Sequence, residues 1–291
     1  MSSPGSAADY REGQLEVAPG VSLFHRSWTA STARTPLVIV HGIGEHSGRY
    51  EHVALRFLAS GYNVHLLDLP GHGRSPGPRG HLDLARTIEW LHEFVVYVSD
   101  EHAGARPVLL AHSMGGLIAT CYAAAHQEAI RALVLSSPLW GFTVRVTWWK
   151  RALARALRHV WPSLTLRRPR AGGEALSHDP DVVRRFHADP LVHLCASVQL
   201  YMDICDAIDA LPAVLRRLTL PVLILQAGAD LLASPAAVHE RFPLIASPHK
   251  GLIVYDGFYH EVFNEVDKET VFRDVLTWLE RVVHVPDAPA S

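Results

Sequence analysis

Val108-Leu109-Leu110-Ala111-His112-Ser113-Met114-Gly115-Gly116-Leu117-Ile118-Ala119 is the stretch that decides the fold. Its first part is a short apolar run behind Pro107, which reads as a buried strand; from Gly115 onward it reads as a tightly packed helix. Ser113 falls at the joint. A strand that turns into a helix within two or three residues forces the apical residue into a strained backbone conformation and holds its side chain out beside the helix N-terminus. A nucleophilic hydroxyl is useful there. The flanking residues must be small because the two backbones nearly touch, and Ala111, Gly115 and Gly116 meet that need. The usual pattern is G-x-S-x-G, and Ala111 departs from it by a single methyl group, so a slightly tighter turn is expected.

Around this joint, strand and helix patterns alternate. Leu15 to Val17 and Val21 to Trp28 read as a hairpin turning at Pro19-Gly20. Strands are expected over 37–40, 62–67, 108–111, 132–136, 220–226 and 251–255, and helices over 47–60, 82–100, 235–242 and 262–283. Such alternation predicts an α/β fold: a mostly parallel central sheet with right-handed crossovers and helices on both faces. After the sixth strand the alternation stops. Two helical patterns, 146–160 and 192–210, replace it and read as an inserted helical cap. The expected organisation is a disordered tail over 1–13, a core over 14–137 and 213–285, a cap over 138–212 and a flexible tail over 286–291.

Composition narrows the class. With 291 residues, 48% of them hydrophobic, the chain can bury one large core. A net charge of −2 argues against a nucleic-acid binder. Three cysteines, none in a C-x-x-C pair, suit buried thiols better than a disulfide framework. No apolar run is long enough to span a bilayer and the N-terminus lacks a signal-peptide pattern, so a cytoplasmic protein is expected.

A serine hydroxyl needs a base within reach, oriented by a carboxylate, and open parallel sheets collect such groups beyond the carboxyl ends of their strands. Asp230 and His260 each follow a late strand. Earlier, the apolar strand 37–40 runs into His41-Gly42-Ile43-Gly44, where the glycines suggest close backbone approach. In acyl transfer the Ile43 amide would face a developing oxyanion; a phosphate loop is the competing reading, but the G-K-[ST] ending is absent. His260-Glu261-Val262-Phe263-Asn264 has Asn where a zinc helix H-E-x-x-H needs its second histidine, and His41, His46, His65 and His72 have no cysteine or carboxylate at ligand spacing; no metal and no cofactor are expected.

The segments HGIGEHSGRY from 41, GHGRSPGPRGH from 71, HSMGG from 112, SSP from 136, HDPDVV from 178, ADPLVH from 188 and GFYHEVFNE from 257 together resemble the monoacylglycerol lipase and lysophospholipase branch of the α/β-hydrolases. The resemblance runs from about residue 15 to residue 283, and the first and last segments are more specific than the serine turn. It implies a serine hydrolase of lipid carboxylic esters, monoacylglycerol foremost, with lysophospholipase, general carboxylesterase or acyltransferase activity, or a non-catalytic binding module, as alternatives. It implies Ser113 as nucleophile, His260 as base, Asp230 as its partner, and the amides of Ile43 and Met114 as the oxyanion hole. Glu45 and Arg49 match a glutamate and an arginine of the family; they either hydrogen-bond the polar end of the substrate or form a salt bridge that steadies the loop.

Between Glu128 and Glu174 there is no acidic residue, but Arg131, Arg145, Lys150, Arg151, Arg155, Arg158, Arg167, Arg168 and Arg170 fall there with Trp140, Trp148, Trp149 and Trp161. A basic helix with tryptophans at its edge is expected to touch a membrane surface transiently, Arg reaching phosphates; the alternative is that the tryptophans pack inward and the arginines are solvated.

Overall fold

The computed structural model describes residues 9–33, 35–144, 147–167 and 173–283. In chain order these form β1 (Asp9–Ala18), β2 (Val21–Thr29), β3 (Thr35–Val40), α1 (Glu51–Leu58), β4 (Tyr62–Leu67), α2 (Leu84–Glu101), β5 (Val108–His112), α3 (Met114–His126), β6 (Ala132–Ser136), α4 (Trp148–Val160), β7 (Thr165–Arg167), α5 (Pro180–Ala188), β8 (Cys195–Ser197), α6 (Val198–Leu215), β9 (Val222–Ala227), α7 (Pro235–Arg241), β10 (Lys250–Tyr255) and α8 (Lys268–Val283). Eight strands make one sheet in the order β1-β2-β4-β3-β5-β6-β9-β10. The first two pairings are antiparallel, and from β4 to β10 every pairing is parallel.

Both faces of the sheet are buried, and the pleat divides the apolar strands between two cores. In β3, Val38 and Val40 join one core with α2, α3 and α6, while Leu37 and Ile39 join the other with α1 and α8. This is why the central strands read as continuous apolar runs: each alternate residue has a helix to pack on. The helices start where the sequence supplies caps. Asp83 accepts from the Arg86 amide at the start of α2, Ser197 from Leu200 at α6, and Ser234 from Ala237 at α7.

Several expectations need correction. Residues 9–13, expected in a tail, are the first half of β1, hydrogen-bonded to β2 although exposed and polar. Residues 1–8 and 284–291 lie outside the described residues. The helix expected over 47–60 splits into a 3-10 turn, Ser47–Tyr50, and α1. The helix expected over 262–283 likewise splits into a turn at Val262–Asn264 and α8, because Glu265 between them turns its carboxylate back onto the Tyr259 and Val266 amides. The inserted segment holds α5 and the small β7–β8 ribbon besides the two expected helices, and the boundary at 212/213 falls inside α6. Trp140 belongs to the core: it is fully buried and its Nε1–H donates to Thr120 Oγ1 at 3.1 Å.

Candidate active site

Ser113 sits between β5 and α3 with φ 55° and ψ −119°, a left-handed conformation for a residue with a side chain. Holding it costs on the order of 1–3 kcal/mol. The surrounding backbone fixes it: the Ser113 amide donates to Ser136 O at 3.0 Å, and its carbonyl accepts from Leu139 at 2.9 Å and Leu117 at 3.2 Å. The small residues are required by contact. A Cβ on Gly115 would lie 2.4 Å from His41 O and 2.6 Å from Val40 O, and one on Gly116 would lie 3.0 Å from Pro138 Cβ. Ala111 is fully buried in the core behind the turn, so its extra methyl group is accommodated as packing.

His260 and Asp230 meet Ser113 from the loops after β10 and β9. His260 Nε2 lies 2.9 Å from Ser113 Oγ, and His260 Nδ1 lies 2.7 Å from Asp230 Oδ2. Asp230 Oδ1 accepts from the amides of Leu232 at 2.8 Å and Ala233 at 3.0 Å, which locks the carboxylate plane. A carboxylate only accepts, so Nδ1 carries the imidazole proton and Nε2 presents a lone pair to the serine hydroxyl. Burial works to push His260 down, but the Asp230 carboxylate outweighs it and holds the imidazole above its ordinary value of 6.5. If His260 is the general base it must be neutral to act, and kcat/KM should then rise with pH through a limb lying above 6.5. A pH–rate profile of kcat/KM checks this, and a limb below that value contradicts the ion-pair geometry.

The loop after β3 closes the other side. Gly42 donates its amide to Glu45 Oε1 at 2.6 Å, and a Cβ at Gly42 would lie 3.1 Å from Ser113 Cβ, so the glycine backbone comes up against the serine. Ile43 follows it and lines the same cavity as Ser113. Met114 opens α3, so its amide is among those that have no partner within the helix.

Glu45 and Arg49 also line that cavity, and of the two readings of the pair the loop-steadying ion pair is present. Arg49 Nη1 donates to Glu45 Oε2 at 2.7 Å and to Glu261 Oε1 at 2.8 Å, and Nη2 donates to Glu261 Oε2 at 2.8 Å. Tyr50 Oη donates to Glu45 Oε1 at 2.7 Å. Burial acts to raise the Glu45 carboxyl, but Arg49, His112 and His41 outweigh it and bring it to about 2. Glu261 is the participant that sequence reasoning passed over. It was visible as the residue after His260, but its tie to Arg49, 212 positions earlier, is a product of the fold.

His112 is the second. Its ring lies 4.6 Å from that of His260, and burial, then the neighbouring His260, push it down to about 4, so it is neutral. Among the described residues no group of three or more His, Cys, Asp or Glu side chains is arranged to hold a metal ion.

The cavity has a volume of about 430 Å³, and most of its wall is apolar side chains, among them Leu139, Leu176, Phe186, Leu194 and Ile204. The inserted segment is tied to the loop that carries His260 and to the loop after β3. The amides of His260 and Glu261 donate to the carbonyls of Ala175 and Leu176, the amide of His193 donates to Gly44 O, and His46 Nε2 lies 2.8 Å from Asp189 Oδ2.

A buried serine–histidine–aspartate relay at the carboxyl ends of a mostly parallel eight-stranded sheet, with the serine on a strained strand–helix turn, defines an α/β-hydrolase. A family model described as serine aminopeptidase, S33, matches residues 31–267, and the chain belongs to that family, in its monoacylglycerol lipase-like branch. It is 36% identical over 266 residues to a monoacylglycerol lipase of Mycolicibacterium smegmatis, covering 89% of this chain and 93% of the relative. It is 30% identical over 260 residues to the phospholipase YtpA of Bacillus subtilis, covering 88% and 99%. The crystal structure of a Paleococcus ferrophilus monoacylglycerol lipase superposes with a TM-score of 0.82 at 32% identity, covering 90% of this chain and 99% of that one.

Proposed function

We propose that the chain is a serine ester hydrolase that cleaves monoacylglycerol to glycerol and a fatty acid. The observation that carries this reading is the Ser113–His260–Asp230 relay opening into a largely apolar cavity, and the names of the relatives support the lipid substrate. His260 Nε2 takes the proton as Ser113 Oγ attacks the ester carbonyl. The carbonyl oxygen gains charge against the amides of Ile43 and Met114. His260 then returns the proton to the departing glycerol oxygen, leaving an acyl group on Ser113. Water, deprotonated by the same imidazole, releases the fatty acid. Glu45 and Arg49 form the polar wall at the glycerol end and hold the oxyanion loop. Labelling by a fluorophosphonate probe, read at Ser113 by peptide mass, together with release of fatty acid from monoacylglycerol, tests the proposal. A labelled protein that turns over short esters but not monoacylglycerol overturns the substrate, and an unlabelled Ser113 overturns the mechanism.

We propose a surface contact of a different form from the one expected. Arg151 pairs with Asp209, Arg155 with Asp206 at 3.5 Å, and Arg158 with Asp203 at 2.6 Å and Asp206 at 2.7 Å, so the basic side of α4 faces the acidic side of α6 and does not form a phosphate-binding stripe. Arg145, Arg168 and Arg170 lie outside the described residues. The outward side of α4 is apolar: Trp149 is 51% exposed, Leu153 53% and Val160 84%, beside Trp148 at 81%. The helix thus pairs three of its arginines with α6 and bares its hydrophobes on the other side, and Phe142 and Val144 at the cavity wall are exposed as well. No helix among the described residues is long and apolar enough to cross a membrane. We assign this face to shallow, reversible contact with a lipid layer, driven by apolar area more than by charge. Phosphatidylcholine vesicles carrying monoacylglycerol should therefore sediment the protein even at about 1 M salt, where screening reaches about 3 Å. Unchanged sedimentation of a Trp149→Ser/Leu153→Ser variant contradicts the assignment.

A further inference from the structure

The end of the cavity nearest Ser113 has an unbalanced charge. Of its lining residues, Glu45 and Glu261 bring two carboxylates, and Arg49, the single lysine or arginine in that lining among the described residues, is shared between them. All three are nearly inaccessible to solvent, with side-chain exposures of 5%, 5% and 10% for Glu45, Glu261 and Arg49, so water screens the excess poorly. His112 lines the same end and adds an acceptor. Its Nδ1 lies 3.1 Å from the carbonyl oxygen of Ser136 and 3.0 Å from Ser136 Oγ; the carbonyl only accepts while the hydroxyl can take either role, so a proton on Nδ1 satisfies both contacts. Nε2 is then a bare lone pair, with no hydrogen-bond partner among the described residues. Burial keeps this imidazole neutral, so it adds no positive charge to offset the carboxylates.

We propose that this end of the cavity is a charge filter on the leaving alcohol: it admits neutral, hydrogen-bond-donating alcohols and cationic ones, and rejects alcohols that carry a phosphate. The filter rests on the ester-hydrolase reading above and adds the chemistry of the alcohol. It also separates the two activities named among the relatives, because a glycerol leaving group meets acceptors for its hydroxyls, while a glycerophosphate brings negative charge to a site with an excess of it. Arg49 does not reverse this, since Nη1 donates to both carboxylates and Nη2 to Glu261. A substrate phosphate would have to compete for a guanidinium already matched to them.

Three water-soluble hexanoyl esters, used below their aggregation concentrations so that lipid-surface charge does not enter, form the test: monohexanoylglycerol, hexanoylglycerol 3-phosphate and hexanoylcholine. Relative to the glycerol ester, kcat/KM for the phosphate ester should be lower by about a hundredfold, the scale of one like charge a few ångströms away at an effective dielectric of about 20. The choline ester should stay within about tenfold. In Glu261→Gln, which removes the excess charge while keeping the shape, the glycerol-to-phosphate ratio should narrow by about a hundredfold whatever happens to the absolute rates. A phosphate ester hydrolysed by the wild type at a rate comparable to the glycerol ester overturns the filter alone, with no variant needed. A ratio unmoved in a Glu261→Gln protein that unfolds at the wild-type temperature overturns it too. Hydrolysis of none of the three esters overturns the ester-hydrolase reading and the filter with it.

Discussion

Ser113→Ala should lose about 10⁶-fold in kcat, because the reaction then has no nucleophile and His260 has no proton to take. The substitution removes one oxygen from a side chain that hydrogen-bonds the His260 imidazole, and it leaves the backbone bonds that fix the turn in place. Stability should change by no more than about 1 kcal/mol, the net worth of an ordinary hydrogen bond. A residual rate of about a thousandfold over water is expected from the remaining amides and the cavity. The deciding measurement is the pre-steady-state burst on a p-nitrophenyl ester, which should vanish. A burst that survives places the acyl group elsewhere and removes Ser113 from the mechanism.

Asp230→Asn should cost about 10⁴-fold in kcat while the protein stays folded. The geometry explains the size of the loss. Oδ1 of Asp230 accepts from the amides of Leu232 and Ala233, so the asparagine oxygen must take that position. Its NH₂ group is then forced to face His260 Nδ1, where the carboxylate oxygen now lies at 2.7 Å. An NH₂ group donates, so the imidazole proton shifts to Nε2, the atom that has to accept from Ser113. The histidine is still present but in the wrong tautomer. Steady-state kinetics together with a thermal melt check the prediction, and activity within about tenfold of wild type would show that the His260 loop alone orients the ring.

How much of this was legible depends on how local the signal is. The turn at Ser113 could be read because its requirements, an apolar strand, small flanking residues and a helix, lie within a dozen consecutive positions. Asp230 and His260 could be singled out because each follows a strand whose apolar run is visible, and the resemblance supplied their expected roles. β1 was missed in part because its first residues form an edge strand that is exposed and has no apolar alternation. The arginines of α4 were misread for a different reason. Their window contains no acid, but Asp203, Asp206 and Asp209 stand 45 to 58 residues later and fold back against them. A composition window registers charge without showing where its partner will be. Glu261 hid in the same way, beside His260 in sequence and joined to Arg49 only in space.

The backbone ties between the cap and the catalytic loops bear on how this fold diversifies. Because the amides of His260 and Glu261 donate to carbonyls of Ala175 and Leu176, the stretch that brings Leu176 to the cavity wall is also bonded to the backbone that carries His260. A cap transplanted from another hydrolase would bring its own carbonyls to that junction, and the imidazole would move with them. Substrate range and turnover are therefore inherited together at this joint, and the modular exchange that a segment inserted between two strands invites would have to be cut on the outer side of residues 175–176, leaving them with the core.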